Sequence, residues 1–199
     1  MAPGSVIKRE ALEAIEREAR QRGAQVLGEG DVDAPLALVG EAPGEEEVAA
    51  GRPFQGPAGR VLDRLLDLTG VPRHRLWITN AVKIRPVARG DRRLVNRSPR
   101  SEEVETFRDL LFEEIRIIHP RVVLCLGSVA ASVLIHPDFH IGQERGRWFP
   151  GPDGIRVTAT YHPAYLLRLR GPAYEAVRDA MAADLLRAWG EATASDERT

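Results

Sequence analysis

The 199-residue chain has one cysteine, Cys125, which excludes an internal disulfide framework and any metal site built from several of its own thiolates. Cys125 sits in the apolar run "RVVLCLGS" and reads as a core thiol. Long apolar runs are missing as well. No stretch reaches 18 apolar residues, and "MAPGSVIKREALEAIEREARQRG" lacks the apolar centre of a signal peptide. The expectation is a cytoplasmic protein with no membrane partner. The five histidines (His74, His119, His136, His140, His162) show no tight ligand spacing, and the proline in "HPDFH" keeps His136 and His140 from sharing a helical face, so no metal is expected. Net charge is also scarce, at -1, which gives no global field to draw in a polyanion.

What is present is a globular composition, 43% hydrophobic and 29% charged, suited to a single domain over residues 1–199. Its core is expected over about residues 26–188, with a flexible tail over 190–199. Charge is concentrated locally. Between Lys83 and Arg100 lie seven cations (Lys83, Arg85, Arg89, Arg92, Arg93, Arg97, Arg100) against one acid, Asp91.

Periodicity predicts an amphipathic helix over 8–22 and short buried strands at "LALVG" (36–40), "LWITNAV" (76–82), "VVLCLG" and "IRVTAT". Helices are expected from Ala58 to about Gly70, from Ser98-Pro99 onward with Val104, Phe107, Leu111, Ile115 and Ile118 as its stripe, over 128–135, and over 172–189. Alternating strands and helices predict an α/β fold, with three α/β/α layers around a central four-stranded, mostly parallel sheet. Sites in such folds gather at the carboxyl ends of the strands. There the chain places its unusual loops: "GEAPG", the segment after "ITN", and "YHPAYLLR". They offer a carboxylate, an aromatic, an amide and an imidazole, more polar chemistry than packing requires.

Taken in order, "VGEAPGEEEVAAGRPFQGPAGRVLD", "ITNAVKIRP", "NRSPRSEE" and "TYHPAYLLR" resemble the uracil-DNA glycosylase superfamily, closest to its family four, from about Val26 to Leu186. The resemblance implies a monofunctional glycosylase that flips uracil out of DNA and hydrolyses its N-glycosidic bond, leaving an abasic site. A glycosylase for another deaminated base such as hypoxanthine, or a damage-recognising DNA-binding relative without activity, are the alternatives. Uracil-containing DNA is the implied partner, and a monomer is expected.

Physical roles follow residue by residue. Phe54 would stack under the base; Asn80, both donor and acceptor, would read the carbonyl and imino edge of uracil. His162 would donate to the oxygen on which negative charge builds. Glu41 would orient the attacking water or offset the positive sugar. Gly40 and Ala42 would border the base, with backbone N–H groups of 40–44 and 56–59 serving base or phosphate. Arg85, Arg97 and Arg168 would contact DNA, and Leu166 or Leu167 would wedge into the vacated space. Glu45 to Glu47 read as solvated charge.

Two departures from the resembled family stand out. Better-known superfamily members have an aspartate at the position of Ala42. Family-four enzymes carry four cysteines around an iron–sulfur cluster; by alignment Ile84 and Phe107 replace two of them here and the other two fall near Glu13 and Glu16 of the first helix, so a cluster cofactor is expected to be absent. Crosslinking relatives bear a histidine near the place of Asn96, and an amide is a poor nucleophile, so turnover is expected rather than a covalent adduct.

Overall fold

The computed structural model describes residues 3–91 and 94–194. In chain order the elements are α1 (Pro3–Gln21), β1 (Glu29–Gly30), β2 (Leu36–Gly40), α2 (Glu45–Ala50), α3 (Pro57–Thr69), β3 (Leu76–Asn80), β4 (Val87–Arg89), β5 (Leu94–Asn96) and α4 (Ser101–Ile118). They continue with β6 (Val122–Leu126), α5 (Ser128–Leu134), α6 (Ile141–Glu144), β7 (Phe149–Pro150), β8 (Arg156–Thr160), α7 (Pro163–Leu166) and α8 (Gly171–Thr193).

The α/β architecture is as expected, but the sheet has six strands rather than four, in the order β1-β3-β2-β6-β8-β7. The four expected strands form its parallel centre; β1 and β7 are two-residue antiparallel edges. Strands that short leave no period to read. Residues of β2, β3 and β6 are all buried, because helices cover both faces. Leu36, Leu38, Leu62, Leu65, Leu76, Leu124 and Leu185 fill one layer, and Ala37, Val39, Leu111, Ile115, Val123 and Val157 the other. Cys125 is fully buried among the latter, and burial pushes its thiol pKa up, consistent with a core role.

Three boundaries move and one element is added. Helix α1 begins at Pro3 rather than at residue 8. Helix α4 begins at Ser101, not Ser98-Pro99: Glu103 accepts the Arg100 N–H at 2.7 Å and closes the helix start two residues later. Helix α8 runs to Thr193 with Ala194 after it, so 190–193 are helical rather than frayed; residues 195–199 of the expected tail lie outside the described residues. The arginine-rich loop contains the β4–β5 hairpin, whose exposed or half-buried side chains gave no alternation to read. Arg92 and Arg93 lie outside the described residues.

Because β3 lies on one side of β2 and β6 on the other, the chain reverses its progression at β2. The crevice past the carboxyl end of β2 is a topological switch point, and the loops after β2, β3 and β8 open onto it.

Candidate active site

A cleft of about 630 Å³ lies at that switch point, bordered by Glu41, Ala42, Phe54, Asn80, His162 and Arg168 among others. The fold thus brings together the carboxylate, aromatic, amide and imidazole singled out in the sequence. Gly40 and Asn80 are register partners at the ends of β2 and β3. The Ala81 and Val82 N–H groups bond the Gly40 and Glu41 carbonyls at 2.9 and 3.0 Å, so the two loops leave the sheet as one unit.

Gly40 is required by close approach. A methyl group there would lie 2.3 Å from Asn80 Oδ1 and 2.6 Å from Phe54 Cζ. Phe54 itself has φ +54°, a left-handed conformation that bulky residues seldom adopt. Gly59 makes it possible, since a side chain there would run into the Phe54 carbonyl at 1.9 Å. Phe54 is 5% exposed and packs with the leucines of α3, yet its ring centroid is 6.1 Å from that of His162 and it borders the cleft. It is at once core and wall.

His162 caps α7. Its Nδ1 accepts the Ala164 N–H at 3.1 Å, so the ring's proton sits on Nε2. Burial, helped by the positive charge of Arg168, lowers the imidazole pKa to about 4. The group is a neutral donor at physiological pH. Glu41 is half-buried, and burial raises its carboxyl pKa against the opposing effect of a hydrogen bond from Ser98.

Glu47 corrects an expectation. Rather than solvated, it is 8% exposed, and its two oxygens accept the Gly44 N–H at 3.1 Å and the Gly56 N–H at 2.9 Å. It ties the loop after β2 to the start of α3, and it takes two of the backbone donors expected to face base or phosphate. Its position three residues after Gly44 is the acid position of a capping box, a signal the sequence did contain.

One further expectation changes, and two arginines gain partners. Leu166 is 2% exposed and packs into the core layer of α3 and α8, so it cannot wedge into DNA; Leu167, 41% exposed, faces the cleft. One turn of helix beginning at Pro163 points position 166 inward and 167 outward. Arg85 is committed to Glu45 at 2.9 Å and to Asn96 at 2.7 Å. Arg97 forms a two-pronged pair with Glu103, both contacts 2.7 Å, and bonds the Val87 carbonyl at 3.0 Å; the same arginine holds the Glu103 carboxyl pKa down to about 2. Both arginines brace the hairpin through these contacts, and Arg97 also borders the cleft. Arg168 is exposed and borders the cleft.

The residues standing where the resembled family would bind its iron–sulfur cluster do not fit one. Phe107 is fully buried against Ile15, Ala19, Val82 and Leu110; Ile84 packs on the same group; Glu13 is exposed. Nearby, Lys83 and Glu114, 3% and 4% exposed, pair at 2.6 Å, and Glu114 also accepts from Trp77 Nε1 and Thr79 Oγ1. Among the described residues no group of three or more His, Cys, Asp or Glu is placed to hold a metal ion.

The family model "Uracil DNA glycosylase superfamily" matches residues 27–186. This chain belongs to the uracil-DNA glycosylase superfamily. It is 40% identical over 146 residues to a protein of Thermotoga maritima named Type-4 uracil-DNA glycosylase, covering 73% of this chain and 72% of that one. It is likewise 40% identical over 156 residues to a Pyrobaculum aerophilum protein of the same name (73% and 76% covered), and 36% over 149 residues to one from Archaeoglobus fulgidus (71% of each). The matched region of the superfamily model contains every cleft residue described above.

Proposed function

We propose that this superfamily member hydrolyses the N-glycosidic bond of uracil in DNA, acting on a nucleotide extruded from the stack. The observation that carries the reading is the meeting of Phe54, Asn80 and His162 on one cleft, a face and two hydrogen-bonding edges for a single flat ring. The names of the curated relatives support the same activity.

The chemistry follows from the groups present. Phe54 stacks on the base, and the Asn80 amide pairs with the carbonyl and imino edge of uracil while mismatching the amino edge of cytosine. As the C1′–N1 bond breaks, its electrons pass into the ring and onto a carbonyl oxygen. His162 Nε2–H donates to that oxygen; being neutral already, it stabilises the charge without first losing a proton. Glu41 takes a proton from the water whose oxygen bonds to C1′, and a raised pKa makes its carboxylate a better base. The uracil anion takes up a proton on release, which leaves an abasic sugar. Ala42 cannot serve as a base, so the burden falls on Glu41.

On this reading Arg168 contacts phosphate and Leu167 fills the space of the extruded nucleotide. The protein works as a monomer in the cytoplasm, with residues 1–199 as one domain. Phe107 packing and the Lys83–Glu114 pair replace the iron–sulfur cluster in fastening the arginine-rich loop. A colourless preparation follows; brown protein with stoichiometric iron would refute it.

Incubation with an oligonucleotide carrying one deoxyuridine, followed by alkali, tests the activity: alkali-labile breaks at that position are expected, and none would reject the reading. The same gel without alkali should show no covalent adduct, because Asn96 stands where crosslinking relatives bear histidine.

A further inference from the structure

Behind Tyr165, which borders the cleft, stands a column of side chains that the chemistry above does not use. At its base Asp184, 2% exposed, accepts from Thr160 Oγ1 at 2.8 Å, from Arg145 at 2.7 Å and from Arg187 at 2.7 Å. Held this way, the Arg145 guanidinium lies 5.3 Å from the centroid of the Tyr161 ring. Tyr161 in turn rests against Tyr165, with centroids 5.5 Å apart and planes inclined by 36°. The column therefore runs from a buried carboxylate through a cation and a half-buried ring to Tyr165, which is 42% exposed and borders the cleft beside His162, Leu167 and Arg168.

A large ring left in solvent is unremarkable when it stands alone. Here it is braced from behind and neighbours a base pocket, a second exposed apolar side chain (Leu167) and a cation (Arg168). A ring already fixed in place gives up little conformational freedom when something stacks on it. Extrusion of one nucleotide leaves the adjoining bases with an uncovered face, and every base can stack on an aromatic ring whatever its sequence.

We propose that Tyr165 is a stacking platform for one of the two bases flanking the extruded nucleotide, with Tyr161 and Arg145 as positioning residues behind it. Its occupant is single-stranded DNA. In a duplex the flanking base keeps its pairing and its own stack, and the platform adds little. The proposal rests on the glycosylase reading and extends it to the kind of strand preferred.

The test uses single strands with one deoxyuridine whose 5′ or 3′ neighbour is either thymidine or an abasic spacer, and the full chain as wild type, Tyr165→Ala and Tyr165→Phe. Uracil release gives kcat and KM. Anisotropy on the same strands carrying a hydrolysis-resistant 2′-fluoro-deoxyuridine gives Kd. With both neighbours present, Tyr165→Ala should raise KM and Kd about 10-fold, in line with the worth of one base–aromatic stack, while kcat moves less and Tyr165→Phe stays near wild type. With the spacer on the stacking side, wild type should fall to the level of Tyr165→Ala and the substitution should cost nothing more. On a fully paired duplex the effect should shrink to about 2-fold or less. An equal loss with the spacer on either side, no loss at all, or Tyr165→Phe as poor as Tyr165→Ala would overturn the proposal. A wild-type chain that releases no uracil would defeat the glycosylase reading instead, and the anisotropy comparison would still decide the platform.

Discussion

The backbone N–H of Ala164 points at His162 Nδ1 from 3.1 Å, which fixes the imidazole's single proton on Nε2. Burial lowers the ring's pKa to about 4, against about 6.5 in an unfolded chain. Protonation therefore opposes folding. The stability this neutral ring supplies is complete above pH 6.5 and is lost as pH falls toward 4. Between pH 7 and 5 the wild type should lose roughly 1–2 kcal/mol more than His162→Gln does, measured by urea unfolding at each pH. His162→Ala should slow uracil release on the order of 10²-fold at pH 7, the worth of a donor used in the transition state.

Glu41 should govern the acid limb of the rate. Its carboxyl must be ionised to take a proton, and burial raises its pKa, so kcat/KM should fall at a pH above the ordinary carboxylate range. Ser98 bonds the charged form and opposes that rise; Ser98→Ala should move the limb to still higher pH. Glu41→Gln should lower the rate and flatten the limb. A pH–rate profile of the three proteins checks both expectations, and an unmoved limb in Ser98→Ala would separate Glu41 from the titration.

Glu47 is expected to act through backbone rather than through substrate. Glu47→Gln leaves one oxygen for two N–H groups, Gly44 and Gly56, and should cost about 1–3 kcal/mol of stability, with a fall in kcat as the loop after β2 loosens. Urea unfolding and initial rates on the same preparation measure the two effects.

The fastening of the arginine-rich loop can be tested at its two parts. Phe107→Ala should cost about 3–5 kcal/mol as a core cavity. Glu114→Ala strands the buried Lys83 ammonium and should cost a similar 3–5 kcal/mol. Replacing both Lys83 and Glu114 by methionine should recover most of the second loss. Thermal unfolding of the four proteins decides this.

Much of the fold was legible because β2 and β6 are unbroken apolar runs, β3 and β8 are apolar runs with polar breaks, and most of the helices carry clear stripes. The two-residue edges β1 and β7 and the exposed β4–β5 hairpin were not, since their pairing leaves no apolar period in the sequence. At the site, Glu41, Phe54, Asn80 and His162 could be picked out because the motifs that carry them resemble the superfamily; taken singly, Asn80 reads as a turn cap and His162 as a surface histidine. Position within one helical turn decided Leu167 over Leu166, and a loop sequence alone does not reveal where that turn starts. Glu47 misled because a charge beside a loop looks solvated until its partners, here the Gly44 and Gly56 N–H groups, are brought beside it by folding; the partners of Arg85 and Arg97, Glu45 and Glu103, were hidden for the same reason.

The most direct test of a pocket built from Phe54, Asn80 and His162 is release of base from paired oligonucleotides, one with deoxyuridine and one with deoxycytidine at the same position, by wild type and Asn80→Asp. Wild type should release uracil and leave cytosine in place, while Asn80→Asp should lose uracil release or lose the discrimination between the two. Asn80→Asp with the turnover and selectivity of wild type would contradict the account.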